Sequence, residues 1–310
     1  MTCLKQVMEA AELLEDANVT GKKVEQEVRK REIRQIEVET IKGEKGKTDF
    51  IKIIIPGLEG KSGGGTQPTL GILGRLGGIG ARPEAIGLVS DADGAIVAIA
   101  SALKLADMIR KGDRLKGDII IATHICPNAP TKPHKPVPFM NAPVDMKEVL
   151  KREVDERMDA ILSVDATKGN RVIKVEGFAI TPTVIKGWIL KVSEDLMNIY
   201  ERVTGHRPYI VPITMQDITP YGTGIDHINS IMQPWIKTDA PVVGVAITAK
   251  VPVAGCATGA TYIQSLEEAT RFCIETAKDY TAGKCSFYDK KEFNKILKIF
   301  GEMEKLRGEH

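Results

Sequence analysis

A chain of 310 residues with 43 % hydrophobic and 27 % charged residues can bury one large α/β core or two small ones. Its 43 lysines and arginines nearly balance 41 aspartates and glutamates, and the net charge of +2 excludes an electrostatic argument for nucleic acid or an anionic membrane as a partner. Its five cysteines are scattered singly and no apolar run reaches about 18 residues, so we expect a soluble, cytoplasmic protein.

The first part of the chain predicts two helices, two strands and a glycine-rich segment. Apolar residues recur at helical spacing over 3–15, and a highly charged helix follows at about 22–32. Residues 33–41 alternate like a strand, and 49–57 resemble a buried strand. The segment 57–87 is rich in glycine and has no helical period, so we expect it to be an insertion or a flap.

After residue 87, predicted helices and strands alternate regularly. Helices are expected at 94–111, 146–157, 186–204 and 265–281, with strands at 117–125, 159–167, 171–184, 207–215 and 240–248. This alternation predicts a mixed, mostly parallel sheet sandwiched by helices, in a single α/β domain over 1–310. A last amphipathic helix is predicted within 287–310.

Several polar side chains are expected at one edge of this sheet. Asp91 and Asp93 lie ahead of the helix in "LVSDADGAIVAIASALKLADM", His124 ends a strand, Asp165 lies just past another, and His227 follows a Gly-Thr-Gly turn. Parallel α/β sheets bind ligands outside the carboxyl ends of their strands. The alternative for Asp91 and Asp93 is helix capping, which does not explain Asp165 so easily.

Five segments, in this order, carry a family resemblance: "ANVTGKKVEQEVRK", "SDADGAIVAIASALKL", "GDIIIATHICP", "AILSVDATKGN" and "YGTGIDHINSIMQPWIKTDAPVVGVAIT". Together they resemble the co-catalytic zinc aminopeptidases of the deblocking and tetrahedral-aminopeptidase type, and more broadly the zinc exopeptidase fold. Within that group the chain looks most like an uncharacterised bacterial and archaeal family. The resemblance implies a zinc-exopeptidase-like fold, with Asp91 as the aspartate that bridges two metal ions and Asp165 as a further ligand.

The chain also departs from that pattern at the other ligand positions. The expected His-x-Asp is replaced by "PGLEG" at 56–60, without histidine. The paired glutamates fall near Cys126 and Pro127, and the last histidine falls near Thr258. Since a dinuclear zinc centre needs about five protein ligands and a base, the ordinary aminopeptidase mechanism does not follow.

Two functions therefore stay open. The first is a metal-dependent hydrolase with a rebuilt exopeptidase site that acts on a peptide or amino-acid-like small molecule. A single divalent ion (zinc, manganese or iron) would be bound there by Asp91, His124 and Asp165. The candidate catalytic groups around it are Glu59, Asp93 and His227. The second function is that of a non-catalytic relative that serves in binding, sensing or assembly.

The segment 57–87 also bears on association. Glycine loses the most backbone entropy on folding, yet this segment carries several leucines and isoleucines and is too apolar for a free loop. The resembling aminopeptidases associate through a domain inserted at this point. We therefore expect a homo-oligomer, with a flap over the pocket mouth as the alternative.

Overall fold

The computed structural model describes residues 1–16, 18–44, 46–75, 87–133, 139–140, 142–227, 229–253, 255 and 259–308. Its helices are α1 (Leu4–Glu15), α2 (Gly21–Arg29), α3 (Asp93–Arg110), α4 (Met146–Glu153), α5 (Glu194–Thr204), α6 (Ile263–Thr281) and α7 (Lys290–Phe300). Its strands are β1 (Ile36–Gly43), β2 (Gly46–Ile55), β3 (Leu70–Gly74), β4 (Ile119–Ile125), β5 (Thr131–Lys132), β6 (Phe139–Met140), β7 (Ala160–Ala166), β8 (Phe178–Ile180), β9 (Val184–Ile185), β10 (Trp188–Ile189) and β11 (Val242–Ile247).

One mixed sheet organises the described part of the chain. Its nine strands run in the order β1-β2-β4-β3-β7-β11-β9-β10, and β8 also pairs with β11. The central strands β4, β3, β7 and β11 are parallel, whereas the flanking strands pair antiparallel. The predicted α/β class and the mixed sheet flanked by helices are confirmed, and the parallel pairing is confined to the centre.

The strand β3 comes from the segment 57–87 that was expected to be an insertion or a flap. All of Leu70–Gly74 is buried, and the strand pairs in parallel with β4 on one side and β7 on the other. The flap prediction is therefore wrong for these residues, because a short apolar run with small glycines fits the middle of a sheet. Residues 76–86 of the same segment lie outside the described ranges.

The parallel strands separate two apolar layers because successive side chains point to opposite faces. On one face, Ile72, Ile121 and Leu162 belong to the core that includes α3. On the other face, Leu73, Ala122 and Ile161 pack in a second core with Trp235 and Leu150 of α4. Helix α3 is almost entirely buried since it lies between the sheet and the helices α1 and α6.

Two glycines bring the amino end of α3 against the ends of β3 and β7. A β-carbon at Gly94 would overlap the carbonyl oxygens of Arg75 and Val164, and one at Gly74 would lie 2.7 Å from the Ala98 methyl group. The residues before Gly94, including Asp91 and Asp93, are consequently held at the carboxyl edge of the sheet.

Later elements are shorter than the sequence predicts. Helix α5 begins only at Glu194, where the Ser193 hydroxyl accepts a hydrogen bond from the backbone N–H of Leu196 (3.3 Å). The strand expected over 171–184 is limited to β8 and the start of β9. The C-terminal helix covers Lys290–Phe300, followed by a single 3-10 turn. Among the helices described, none combines the length and apolarity needed to cross a bilayer.

Candidate functional site

Polar side chains gather at the carboxyl ends of β4, β3 and β7. His124 is the second-last residue of β4, Arg75 directly follows β3, and Asp165 lies near the end of β7. His124 and Asp165 occupy strand positions that face the layer of α4. His124, Asp165 and the Asp91–Asp93 turn, which leads into α3, all lie at this edge of the sheet. We call the group Arg75, Asp91, Asp93, Glu153, Asp165 and Lys168 the carboxyl-edge cluster.

Asp165 is a buried and only partly satisfied carboxylate. It is 2 % exposed, and its Oδ2 accepts a hydrogen bond from Ser230 Oγ (3.0 Å). Its Oδ1 has no hydrogen-bond partner among the described residues. Burial raises the pKa of Asp165 to about 7, although the Arg75 charge and the Ser230 hydrogen bond oppose this rise. An oxygen buried without a partner is costly unless something else binds it.

Asp91 lies close enough to Asp165 for the two charges to interact. Burial, followed by the charges of Asp165 and Asp93, raises its pKa to about 7 against the opposing charge of Lys168. Its backbone N–H donates to the Gly255 carbonyl (3.2 Å), and a β-carbon at Gly255 would overlap the Asp91 carboxylate. The Asp91 side chain is thus confined between the Gly255 backbone and the other acids.

Asp93 is paired with a lysine that the sequence analysis missed. Its carboxylate is fully buried and forms an ion pair with Lys168 Nζ, which is itself buried. Burial raises the pKa of Asp93 to about 6, less than it would without Lys168. The amino-terminal cap positions of α3 and of the 3-10 turn before it are occupied by Ala92 and Val89, with no side-chain cap hydrogen bond, so the capping alternative is wrong.

A second ion-pair network links β3, β4 and α4. Glu153 is fully buried, and its two carboxylate oxygens contact Arg75 Nη1 and His124 Nδ1, the latter at 2.5 Å. Burial by itself would raise the pKa of Glu153, but the charges of Arg75 and His124 outweigh it and lower the pKa. His124 is therefore oriented by a carboxylate, an arrangement also typical of metal-binding histidines.

The structure places two of the predicted catalytic groups elsewhere. Glu59 pairs with Lys116 (2.6 Å) ahead of β4, at the amino end of the parallel strands and away from the carboxyl-edge cluster. Because β2 runs antiparallel to β4, its last residue, Ile55, lies opposite Ile119 at the start of β4, and the loop that follows keeps Glu59 at that end. His227 Nε2 hydrogen-bonds the Thr219 carbonyl (2.8 Å), and its ring contacts Tyr221.

The carboxyl-edge cluster contains more acids than bases, but it does not supply a set of three metal ligands among the described residues. Among the described residues, no group of three or more His, Cys, Asp or Glu side chains is arranged to hold a metal ion. The cluster nevertheless places four carboxylates against the two cations Arg75 and Lys168. Oδ1 of Asp165 is one of the oxygens of this cluster that have no hydrogen-bond partner among the described residues.

A tyrosine lies at the exposed side of this pair. Tyr221 is 41 % exposed, and its phenol interacts with the Ser230 hydroxyl that also bonds Asp165. Burial, followed by the charge of Asp165 among other causes, raises the pKa of Tyr221. The chain of Tyr221, Ser230 and Asp165 therefore connects the surface to the buried carboxylate.

The fold and the cluster define an α/β protein with an acidic site at the carboxyl edge of its parallel strands. Residues 39–310 match the model of a family described as protein of unknown function, DUF1177. Because the match covers most of the chain, the chain belongs to this family. No curated protein in the comparison matches it.

Proposed function

We propose that the chain is a metal-dependent hydrolase with a rebuilt exopeptidase-like site that acts on a peptide or an amino-acid-like small molecule. One observation supports this most directly: Asp91 and Asp165 are neighbouring carboxylates whose pKa values are both raised to about 7, with Asp165 Oδ1 left unpaired. Perturbed acids in such a position are typical of catalytic and metal sites.

In this proposal Asp91 and Asp165 hold a single divalent ion, with manganese favoured among the zinc, manganese and iron alternatives by the oxygen ligands. A bound ion of this kind lowers the pKa of its water toward neutrality and supplies the nucleophile. Arg75 and Ser230 oppose the rise in the pKa of Asp165, and Lys168 opposes the rise in the pKa of Asp93, so each of them favours the ionised form of its acid. Tyr221, at the exposed side, offers a phenol to a substrate carbonyl.

The roles of the predicted residues change accordingly. We leave His124 out of the ligand set because no group of three such side chains is arranged to hold a metal ion among the described residues. Its bond to Glu153 links β4 to α4 beside Arg75. The negative charge of Asp93 raises the pKa of Asp91, and Lys168, which pairs with Asp93, offsets this effect. His227 supports Tyr221 through ring contact.

Manganese binding tests the proposal, using protein purified without a histidine tag. We expect one Mn²⁺ per chain, and Asp165→Asn should weaken binding by at least about tenfold because it removes the charge that holds the ion. Asp159→Asn is the matched control: it makes the same substitution on the strand-entry side of β7, where Asp159 contacts Lys61 (2.6 Å). Absence of Mn²⁺ binding, or equal binding by Asp165→Asn, would contradict the proposal.

Turnover separates the hydrolase from the alternative. In a screen of peptidase and amidase substrates with zinc, manganese or cobalt, we expect hydrolysis that Asp165→Asn abolishes and Asp159→Asn retains. The alternative, a non-catalytic binding, sensing or assembly protein, is favoured by the two ion pairs Arg75–Glu153 and Lys168–Asp93, which already engage groups that catalysis would use. Metal binding without turnover would support this alternative.

Association is a separate part of the proposal. We propose a homo-oligomer with a small-molecule or peptide ligand and no nucleic-acid or membrane partner. Sedimentation at micromolar concentration tests it, and a single species near the 33.8 kDa of one chain would contradict the oligomer.

A further inference from the structure

A cavity of about 820 Å³ lies apart from the carboxyl-edge cluster, between the starts of α1 and α6 and the loop that leads into β8. Leu4, Lys174, Tyr209 and Glu268 are among the residues that line it, and no member of the cluster is found among the described residues of its wall. Sites for small molecules have volumes of about 300–1,000 Å³. A compact organic molecule therefore fits inside this cavity.

The charges that line this cavity leave one acid and one base without an ion-pair partner. The other acids and bases of the wall pair with each other, Glu267 with Arg271 (2.8 Å) and Glu176 with Lys250. In the part of the chain that the structure describes, Glu268 contacts no lysine or arginine, and Lys174 contacts no carboxylate. A ligand that carries both a positive and a negative group would complement this remaining pair of charges.

Glu268 carries the negative charge that is left. A β-carbon at Gly177 would lie 2.8 Å from Glu268 Oε2, so this carboxylate lies directly against the loop before β8. Burial raises the pKa of Glu268, although the charge of Arg271 opposes this rise. A partly buried carboxylate without a contacting cation favours the binding of a cationic group.

Lys174 carries the positive charge that is left, three residues before Gly177 on the same loop. Its Nζ donates a hydrogen bond to the Lys168 carbonyl oxygen (2.5 Å), and an ammonium group has three donors. Burial lowers the pKa of Lys174, because its charged form is not fully compensated. The remaining donors of this ammonium are therefore available to an anionic group.

The first turn of α6 adds groups that also favour an anion. Ser265 lies in this turn and lines the cavity, is only 3 % exposed, and its hydroxyl forms no hydrogen bond with the described residues. The turn has no acidic residue and no side-chain cap, so its backbone N–H groups also favour a carboxylate. Since Ser265 and Glu268 are three positions apart on one helix, their β-carbons are about 5–6 Å apart on the same face. The anionic and cationic groups of a ligand would therefore bind side by side.

We propose that this cavity binds a free α-amino acid, whose carboxylate contacts Lys174 and Ser265 and whose ammonium contacts Glu268. An α-amino acid carries both charged groups on one carbon atom, which matches the short spacing of the polar groups on α6. Leu4 and Tyr209 are 44 % and 40 % exposed and line the same cavity, which favours an apolar side chain on the ligand. The site goes beyond the proposed hydrolase, since it requires neither a metal ion nor the carboxyl-edge cluster.

Calorimetric titration of the full chain with L-leucine tests this site. Two analogues of the same size serve as comparisons: isocaproate, which lacks the ammonium, and isoamylamine, which lacks the carboxylate. The wild type should bind leucine at least about tenfold more tightly than either analogue, which is the scale of one lost hydrogen bond to a charged group.

Two variants assign the charges of the ligand to their partners. Glu268→Gln should weaken the binding of leucine at least about tenfold and leave that of isocaproate unchanged, because isocaproate has no ammonium. Lys174→Met should weaken leucine and isocaproate and leave isoamylamine unchanged. Glu275→Gln is the matched control, since it makes the same substitution on α6 outside the cavity, where Glu275 lies 3.6 Å from Lys278. It should bind leucine like the wild type.

The outcomes separate this inference from the proposed function. A wild type that does not bind leucine at millimolar concentration, or that binds isocaproate equally well, overturns the inference. Unchanged binding of leucine by both Glu268→Gln and Lys174→Met also overturns it. Asp165→Asn should bind leucine like the wild type, and a loss of binding would show that leucine binds at the carboxyl-edge cluster instead. A chain that binds leucine but no Mn²⁺ would contradict only the proposed function.

Discussion

The acids at the two ends of the same parallel strands differ in how completely their carboxylate oxygens are hydrogen-bonded. At the amino end, Asp118 accepts hydrogen bonds from Gly57 N (2.9 Å), Ser62 N (2.7 Å) and Ser62 Oγ (2.9 Å). Asp159 likewise contacts Lys61 and the backbone N–H of Thr69 (2.8 Å). At the carboxyl end, Asp165 has one hydroxyl donor and an orphaned oxygen.

This contrast distinguishes acids that build the fold from acids that can serve a site. The acids at the amino end accept hydrogen bonds from the loop before β3, so their carboxylate oxygens already have partners. Those at the carboxyl end are dehydrated by the packing of α3 without being fully compensated, so their protonation and ligand binding remain adjustable.

The largest effect that we expect is on the buried network behind the site. Glu153→Gln leaves Arg75 charged and buried without its counter-ion, which should lower the free energy of unfolding by about 3–5 kcal/mol. Urea denaturation at neutral pH measures this change. A loss below about 1 kcal/mol, the scale of an exposed pair, would mean that Glu153 does not stabilise Arg75.

The second-largest effect that we expect is on the pH dependence of stability, which should differ between the acids at the two ends of the parallel strands. A carboxyl with a raised pKa binds its proton more tightly in the folded state, so it contributes stability at low pH that is lost as pH rises toward the folded value of about 7. Without added metal, Asp165 alone should cost the wild type about 2–3 kcal/mol between pH 5 and 8. Asp165→Asn should remove this share of the decline and leave the shares of Asp91 and Asp93, as followed by denaturation at each pH.

Two acids outside the carboxyl-edge cluster serve as controls for this pH experiment. Hydrogen bonds from Arg157 and Lys52 lower the pKa of Asp155, so its contribution is already complete above pH 5. Asp159→Asn should leave the pH slope of the wild type unchanged. An equally steep decline in Asp165→Asn would show that the pKa of Asp165 is not raised.

A smaller effect is expected from the loop that confines Asp91. Gly255→Ala introduces a methyl group that overlaps the Asp91 carboxylate, and overpacking of this kind costs about 1–3 kcal/mol. It should also weaken Mn²⁺ binding. Gly169→Ala is the matched control, because its methyl group would lie 3.5 Å from the Val253 carbonyl, an ordinary contact. Thermal unfolding with and without Mn²⁺ compares them, and equal behaviour of the two variants would contradict the close packing.

The smallest effect belongs to the amino end. Asp159→Asn removes a half-exposed ion pair with Lys61, which should change stability by less than about 1 kcal/mol. Raising the salt concentration should reduce even this difference. A loss as large as that of Glu153→Gln would remove the contrast between the two ends.

The placement of Asp91, His124 and Asp165 at one edge could be predicted because parallel strands share their carboxyl ends. Glycine in 57–87 concealed β3, since the pattern of a strand interrupted by glycine resembles that of a loop. Glu59 lies at the opposite end because β2 runs antiparallel to β4, and the sequence pattern does not show the direction in which two strands pair.

The basic residues of the site could not be found from the sequence. Lys168 lies three positions after Asp165, and Arg75 ends an apolar run, but surface lysines and arginines commonly have such positions. Their burial depends on partners distant in sequence: Asp93 and Ala260 for Lys168, and Glu153 for Arg75. Only the three-dimensional packing of α3 and α4 on the sheet shows that these charges are internal.

The position of β3 also bears on how the chain folds. Its two neighbours, β4 and β7, are both synthesised after it, so a fully apolar central strand must remain unpaired until they emerge. Long-range parallel pairing of this kind is slow and exposes aggregation-prone segments during folding. Assembly of the sheet centre is therefore expected to be a late folding event, and the carboxyl edge cannot take shape before it.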